Sequence, residues 1–168
     1  GNFTITITGV TTANPTVAGV ESPGVDNVLT TVGSYSVDEG SHTGYTKTLS
    51  ADCTGTIALG QTKTCTITND DQQAYITVTK VVTNDNGGTA DPDDFDLTLE
   101  GNPVLSGVAI PVNPGTYTAD ETLLPGYSFE GFSGQCDSNG DVTVALGESK
   151  SCTLTNNDNA PTLHLRKV

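Results

Sequence analysis

The sequence predicts an all-β protein built as two tandem domains. Short runs that alternate threonine with apolar residues are separated by glycine, proline and asparagine–aspartate pairs. No long stretch has the periodicity of a helix, and 168 residues suit two small domains. Several segments of the first half recur in the second half, which indicates an internal repeat.

Four pairs of similar segments define the repeat. In chain order they are residues 3–9 with 95–101, 33–39 with 115–121, 44–45 with 126–127, and 65–69 with 152–156. Their spacing predicts domain 1 at residues 1–70, a short linker at 71–74, domain 2 at 75–157 and a C-terminal segment at 158–168.

An insertion distinguishes the first repeat from the second. The offset between matching residues falls from 92 at Phe3 to 82 at Tyr35, so residues 10–32 contain ten extra positions. Surface loops tolerate insertions. We therefore expect residues 11–25 to form an exposed loop, with a contact surface as the alternative interpretation.

The C-terminal segment matches the start of domain 2. Both have two apolar residues and a lysine at a spacing of two, which places all three on one face of a strand. These residues are Leu163, Leu165 and Lys167 in the tail, and Ile76, Val78 and Lys80 in domain 2. Domain 1, in contrast, begins at the second strand of the repeat. We therefore expect the tail to be a donor strand that supplies a missing first strand.

The length of the tail indicates which domain 1 it can reach. Seven residues separate Asn156 from Leu163, and they span at most ~25 Å when extended. A domain of this size is about 30 to 40 Å long. The tail should therefore pair with domain 1 of another copy, and such head-to-tail strand addition propagates into a filament. The alternative is that the chain is a fragment of a longer tandem array.

Charge and cysteine content restrict the environment and the partners. Twenty acidic residues against six basic ones give a net charge of −14, which argues against nucleic acid and anionic membranes as partners. No apolar run is long enough to span a bilayer. Four cysteines in a small β-rich chain indicate an oxidising, extracellular setting.

The cysteines are expected to form one disulfide in each repeat. The pairs are Cys53–Cys65 and Cys136–Cys152, and each closes a short hairpin-like segment. Zinc binding is the alternative, but the chain has no Cys-x-x-Cys pair and no histidine cluster to support it.

Three polar residues of the second repeat lie on strand faces that should point into the core. They are Lys80, Glu121 and Asn156. Burial lowers the pKa of a lysine and raises that of a carboxyl group. A neutral Lys80 amine could then attack the Asn156 side-chain carbonyl while Glu121 shuttles the proton and ammonia leaves. A hydrogen-bonded ion pair without chemistry is the alternative.

The second repeat resembles the Cna B-type, SpaA-like prealbumin-fold repeats of bacterial surface adhesins and pilins. The resemblance is carried by Lys80, by Gly115-Thr-Tyr-Thr-Ala-Asp-Glu-Thr-Leu-Leu-Pro-Gly-Tyr127 and by Thr153-Leu-Thr-Asn156. It implies two tandem prealbumin-like (Ig-like) β-sandwich domains. It also implies an intramolecular isopeptide bond between Lys80 and Asn156, formed autocatalytically with Glu121 as the catalytic residue.

Domain 1 retains only part of this pattern. Glu39 and Asn69 are present, but a first-strand lysine is absent. Carried over to domain 1, the resemblance implies that Lys167 of one subunit bonds Asn69 of the next, with Glu39 as catalyst. We therefore expect a structural subunit of a pilus-like filament on the cell surface, with identical subunits and a surface or matrix ligand as candidate partners. A monomeric adhesin stalk is the alternative.

The remaining polar motifs predict no further chemistry. The acidic run at residues 84–94 lacks the residue order of a calcium-binding loop, so a solvated turn is favoured over a calcium site and no cofactor is expected. His42 and His164 are isolated, and no catalytic set indicates an enzyme. Asn2-Phe3-Thr4 is an acceptor triplet for glycosylation.

Overall fold

The computed structural model of the protein describes residues 3–168. Gly1 and Asn2 lie outside the described residues, and with them lies the acceptor asparagine of the glycosylation triplet. The chain divides into two compact units, unit 1 at Gly1–Gln72 and unit 2 at Gln73–Val168. Apart from two short 3-10 turns, the regular elements of the described residues are all β-strands, so the all-β prediction is confirmed.

Unit 1 contains two antiparallel sheets. Its strands are β1 (Thr4–Thr8), β2 (Thr16–Ala18), β3 (Gly33–Glu39), β4 (Tyr45–Leu49), β5 (Thr54–Ile57) and β6 (Ile67–Asp71). One sheet has the order β2-β1-β3-β5, and the other contains β4 and β6 alone. Within residues 3–168, β6 therefore pairs along one edge only.

Unit 2 contains two four-stranded sheets. Its strands are β7 (Ala74–Thr83), β8 (Leu97–Leu99), β9 (Asn102–Val104), β10 (Ala109–Val112), β11 (Gly115–Glu121), β12 (Tyr127–Gly134), β13 (Asp141–Val144) and β14 (Ser149–Asp158). The sheet orders are β10-β7-β14-β12 and β13-β11-β8-β9. β7 and β14 run parallel, in register from Tyr75 opposite Ser149 to Thr83 opposite Asn157.

The repeat offsets relate the strands of the two units. β8, β9, β11, β12, β13 and β14 of unit 2 correspond to β1, β2, β3, β4, β5 and β6 of unit 1. β7 and β10 have no counterpart in the described part of unit 1. Unit 1 thus has the facing sheet of a sandwich, but only half of the sheet that should cover it.

The cores of the two units differ accordingly. In unit 2, the apolar residues Leu97, Leu99, Ala119 and Leu154 are buried beneath Ile76 and Val78 of β7. Their counterparts in unit 1 are only half-buried, and these are Ile5, Ile7, Val37 and Ile67. In the described residues, the apolar side chains of unit 1 are therefore less completely buried than those of unit 2.

The insertion in the first repeat is more ordered than the predicted loop at residues 11–25. β2 lies within it and pairs with β1, and Thr12 forms an isolated bridge to Leu29. Three residues form β2, too few for alternation to reveal a strand, so the loop prediction was wrong at this point. Val25 and Val28 are among its exposed apolar residues.

Two disulfides join the pairs that the spacing indicates. Cys53 bonds Cys65 in unit 1, and Cys136 bonds Cys152 in unit 2. A closed loop of such a length typically stabilises a small domain by ~2 to 4 kcal/mol. Between the units, β6 ends at Asp71 and β7 begins at Ala74, and the last strand of unit 2 extends to Asp158.

Candidate functional site

Three strands of unit 2 bring the polar residues of the candidate site together. Lys80 lies on β7 and Asn156 lies on the adjacent parallel strand β14. Because side chains alternate along a strand, both point to the face that carries the buried residues of their sheet. Glu121 is the last residue of β11 in the opposite sheet. The site is therefore enclosed between the two sheets.

The three side chains are in direct contact. Lys80 Nζ donates a hydrogen bond to Asn156 Oδ1 at 2.6 Å and lies 2.6 Å from Glu121 Oε2. The side chain of Lys80 is fully buried, and that of Glu121 is 3% exposed. Nζ also lies 4.3 Å from the ring centroid of Phe95. Amine, carboxamide and carboxyl group thus meet in the buried core of unit 2.

Burial changes the protonation of this group. It lowers the pKa of the Lys80 ammonium, while the hydrogen bond and the charge of Glu121 oppose that change without cancelling it. A lower pKa increases the fraction of neutral amine, which is the nucleophilic form. The site therefore makes the reactive form of Lys80 more accessible than it is in a solvent-exposed lysine.

Among the described residues, three buried polar atoms of the site have no hydrogen-bond partner; Glu121 Oε2 is one, but it forms the ion pair with Lys80 Nζ, and the other two have neither kind of partner. Those two are Asn156 Nδ2 and Glu121 Oε1. Buried donors and acceptors are nearly always paired, and an unpaired one costs free energy. Nδ2 is the nitrogen that would leave as ammonia if Nζ attacked the Asn156 carbonyl. The reaction would therefore remove one of these unpaired buried atoms, Asn156 Nδ2, from the core.

In unit 1 the corresponding positions form an incomplete version of the same site. Glu39 is the last residue of β3 and is 5% exposed, and its Oε1 has no hydrogen-bond partner in the described residues. Asn69 lies half-buried on β6. Lys167 lies in the exposed tail, outside the strands. The proposed bond between Lys167 and Asn69 joins two subunits, so it lies outside a single chain.

Sequence reasoning missed a lysine beside Glu39. Lys47 of β4 lies directly opposite Asn69, and its Nζ donates to Asp38 Oδ1 at 2.5 Å and to the main-chain oxygen of Glu39 at 2.6 Å. Lys47 corresponds to Phe129 in unit 2. The alternation of β4 could have placed Lys47 on the inner face with Tyr45, since both are half-buried.

The acidic run of unit 2 binds the end of the last strand. The backbone N–H groups of Asp85, Asn86 and Gly88 donate to the carboxylate of Asp158 at 2.6 to 3.0 Å. Burial would raise the pKa of Asp158, but these hydrogen bonds outweigh it and hold the pKa below its usual value. We call this arrangement the Asp158 clasp.

A glycine in the clasp is required by close packing. A Cβ atom on Gly88 would lie 2.4 Å from the Tyr127 hydroxyl and 2.7 Å from Asp158 Cβ. Tyr127 in turn bonds Asn84 and the N–H of Ala90. The run is thus an ordered turn, and within residues 3–168 no group of three or more His, Cys, Asp or Glu side chains is placed to hold a metal ion.

Comparison with known families agrees with this architecture. The family model for the SpaA-type prealbumin-like fold domain matches residues 1–68 and again residues 71–154. The chain belongs to the SpaA-type prealbumin-like family. SpaA-type domains are extracellular pilin and adhesin modules and are generally non-enzymatic, so this chain has a structural surface role of that type. A search of curated proteins gave no significant match.

The disulfides also fit SpaA-type modules. Both disulfides suit an oxidising extracellular environment. Among the described residues, no helix is long and apolar enough to cross a membrane.

Proposed function

We propose that the chain is the subunit of an extracellular, pilus-like filament, in which the tail of one subunit completes unit 1 of the next. One observation carries the proposal: within the described residues, 3–168, β6 lacks the parallel neighbour that β7 provides for its counterpart β14. A strand from another copy would restore the ladder of main-chain hydrogen bonds and cover the half-buried core.

The side chains of the tail fit this position. Ile76 and Val78 of β7 are fully buried in unit 2, whereas their tail counterparts Leu163 and Leu165 are each 81% exposed. Burying a leucine contributes about 1.5 to 3 kcal/mol. Residues 1–72 contain seven acidic side chains against two basic ones, and the tail carries Arg166 and Lys167. Apolar pattern and charge both favour docking of the tail.

The repeat also specifies the register of the donor strand. In unit 2, Lys80 lies opposite Leu154 and Val78 lies opposite Cys152. Transferred to the acceptor, this places Lys167 opposite Ile67 and Leu165 opposite Cys65, in a parallel orientation. Lys167 then occupies the position between Asn69 and Glu39 that Lys80 occupies between Asn156 and Glu121.

We further propose that both sites form isopeptide bonds. The ammonium of the lysine gives one proton to the glutamate, and the neutral Nζ attacks the Cγ atom of the asparagine. The glutamate gives that proton to Nδ2 as the bond from Cγ to Nδ2 breaks, and it then takes the second proton from Nζ and passes it to the released ammonia. The products are a secondary amide and an ammonium ion, so atoms and charge balance. No metal or cofactor takes part in this scheme.

The buried Glu39 supports an incoming lysine. A carboxyl group that is 5% exposed with an unpartnered oxygen is unfavourable without a nearby cation. Lys47 binds the main-chain oxygen of Glu39 and the side chain of Asp38, while Oε1 of Glu39 has no hydrogen-bond partner among residues 3–168. Docking of Lys167 would place an ammonium beside the carboxyl group of Glu39, as Lys80 does for Glu121.

Filament formation and covalent locking can be tested separately. Electron microscopy of the purified chain should show filaments, and boiling in detergent should leave a ladder of multiples of 17.3 kDa. The K167A chain should still form filaments but give no ladder, and K80A should leave the ladder intact. Monomers alone, in both assays, would overturn the filament proposal and favour the adhesin stalk.

A further inference from the structure

A cavity of about 400 Å³ lies beside the candidate site of unit 2. Its lining includes Asp120 and Glu121 together with the apolar side chains of Leu123, Phe129 and Phe132. Glu121 contacts both the cavity and the reacting group, because its Oε2 lies 2.6 Å from Lys80 Nζ. Its Oε1 is buried without a hydrogen-bond partner in the described residues. The cavity thus adjoins a carboxyl group with one unused oxygen.

In unit 1, the residues that correspond to Asp120 and Glu121 bind a lysine ammonium group. Asp38 and Glu39 correspond to Asp120 and Glu121, and in both pairs the aspartate Oδ1 accepts a hydrogen bond from the glutamate N–H at 2.8 Å. In unit 1 this framework holds the ammonium group of Lys47. In unit 2 the corresponding residue is Phe129, which lines the cavity. The residue that supplies the ammonium group in unit 1 is therefore replaced in unit 2 by a residue that lines the cavity.

In the proposed reaction the buried cation of the site becomes a free one. Before the bond forms, the Lys80 ammonium balances the Glu121 carboxylate at 2.6 Å. The bond converts that ammonium and the Asn156 carboxamide into a neutral secondary amide and a free ammonium ion. Glu121 is then a buried carboxylate without its cation, which is a costly state.

We propose that the cavity beside Glu121 is the exit chamber for the ammonium ion and a site for ammonium afterwards. This inference rests on the proposed bond between Lys80 and Asn156. The ion passes from Nδ2 of Asn156 along the Glu121 carboxyl group into the cavity, where Asp120 and Glu121 supply negative charge. The aromatic faces of Phe129 and Phe132 also suit a cation.

A substitution taken from unit 1 tests the exit route. F129K places a tethered ammonium in the cavity, as Lys47 does in unit 1, and F129M is the matched control that fills similar volume without charge. Each chain is synthesised in a cell-free pulse and quenched at intervals, and intact mass follows the loss of one ammonia. We expect the unit 2 bond to form at least about tenfold more slowly in F129K than in F129M. Equal rates would overturn the exit route and leave the bond itself in place.

A second measurement does not depend on the bond. K80M removes both the nucleophile and the cation of the site, which leaves the Glu121 carboxyl group without its ion-pair partner. Crystals of K80M soaked in thallium(I), an ion close in size to ammonium, should show an anomalous peak in the cavity beside Glu121. The peak should be missing from K80M/F129K. A folded K80M protein without the peak would overturn the cation site, whereas a wild-type chain that never loses ammonia would overturn the proposed bond.

Discussion

Replacing Leu163 and Leu165 by serine measures how strongly the tail docks onto unit 1 of the next subunit. The K167A background removes the proposed covalent bond, so that docking becomes reversible. Both leucines are 81% exposed in the single chain, and their counterparts on β7 are fully buried. Most of the 1.5 to 3 kcal/mol for each leucine is therefore gained on docking, which gives about 2 to 5 kcal/mol for the pair.

This free energy converts into a large change in polymerisation. At about 1.4 kcal/mol for each factor of ten, the concentration at which filaments appear should rise roughly 30- to 4,000-fold. Sedimentation of the polymer across a concentration series measures that threshold. V168S in the same background is the control, because the corresponding Val81 remains 42% exposed even in the complete unit. A serine pair that polymerises at the same concentration as V168S would refute the donor-strand reasoning.

Three further predictions concern unit 2. E121Q should slow the bond between Lys80 and Asn156 by about 10² to 10⁴, seen by intact mass as retained ammonia. Bond formation should accelerate with rising pH through the lowered pKa of Lys80, because only the neutral amine attacks; a rate in pulse-labelled chain that is independent of pH would contradict this. D158N should lower the melting temperature at neutral pH. The difference in melting temperature between D158N and the wild type should vanish as pH falls through the depressed pKa of Asp158, because the wild type then loses the same charge.

The alternation of side chains along strands made the candidate site of unit 2 predictable from the sequence. Lys80 and Asn156 each follow two apolar residues at a spacing of two, and a period of two fixes the face to which a side chain points. The same alternation placed Glu121 on the core-facing side of its own strand. The parallel pairing of β7 with β14, which brings Lys80 and Asn156 into contact, was not readable from either strand alone.

Long-range hydrogen bonds explain why the sequence did not predict the Asp158 clasp. The Asp158 clasp joins residues about 70 positions apart through backbone N–H groups, and no side-chain pattern encodes such groups. Lys47 was overlooked because it comes from a strand that carries Phe129 in the other repeat. Asp158 itself was assigned to the tail, although it continues the buried alternation of Asn156 along β14.

The parallel alignment of β7 and β14 determines how unit 2 responds to pulling. The chain enters β7 at Ala74 and leaves β14 after Asp158, and parallel strands place these two points at opposite ends of their shared ladder. Traction therefore shears all nine residue pairs at once instead of peeling them apart singly. With Lys80 joined to Asn156, the load would cross from one strand to the other through that amide. Residues 81–155 would be slack under tension, and reducing the Cys136–Cys152 bridge would not lengthen the fibre.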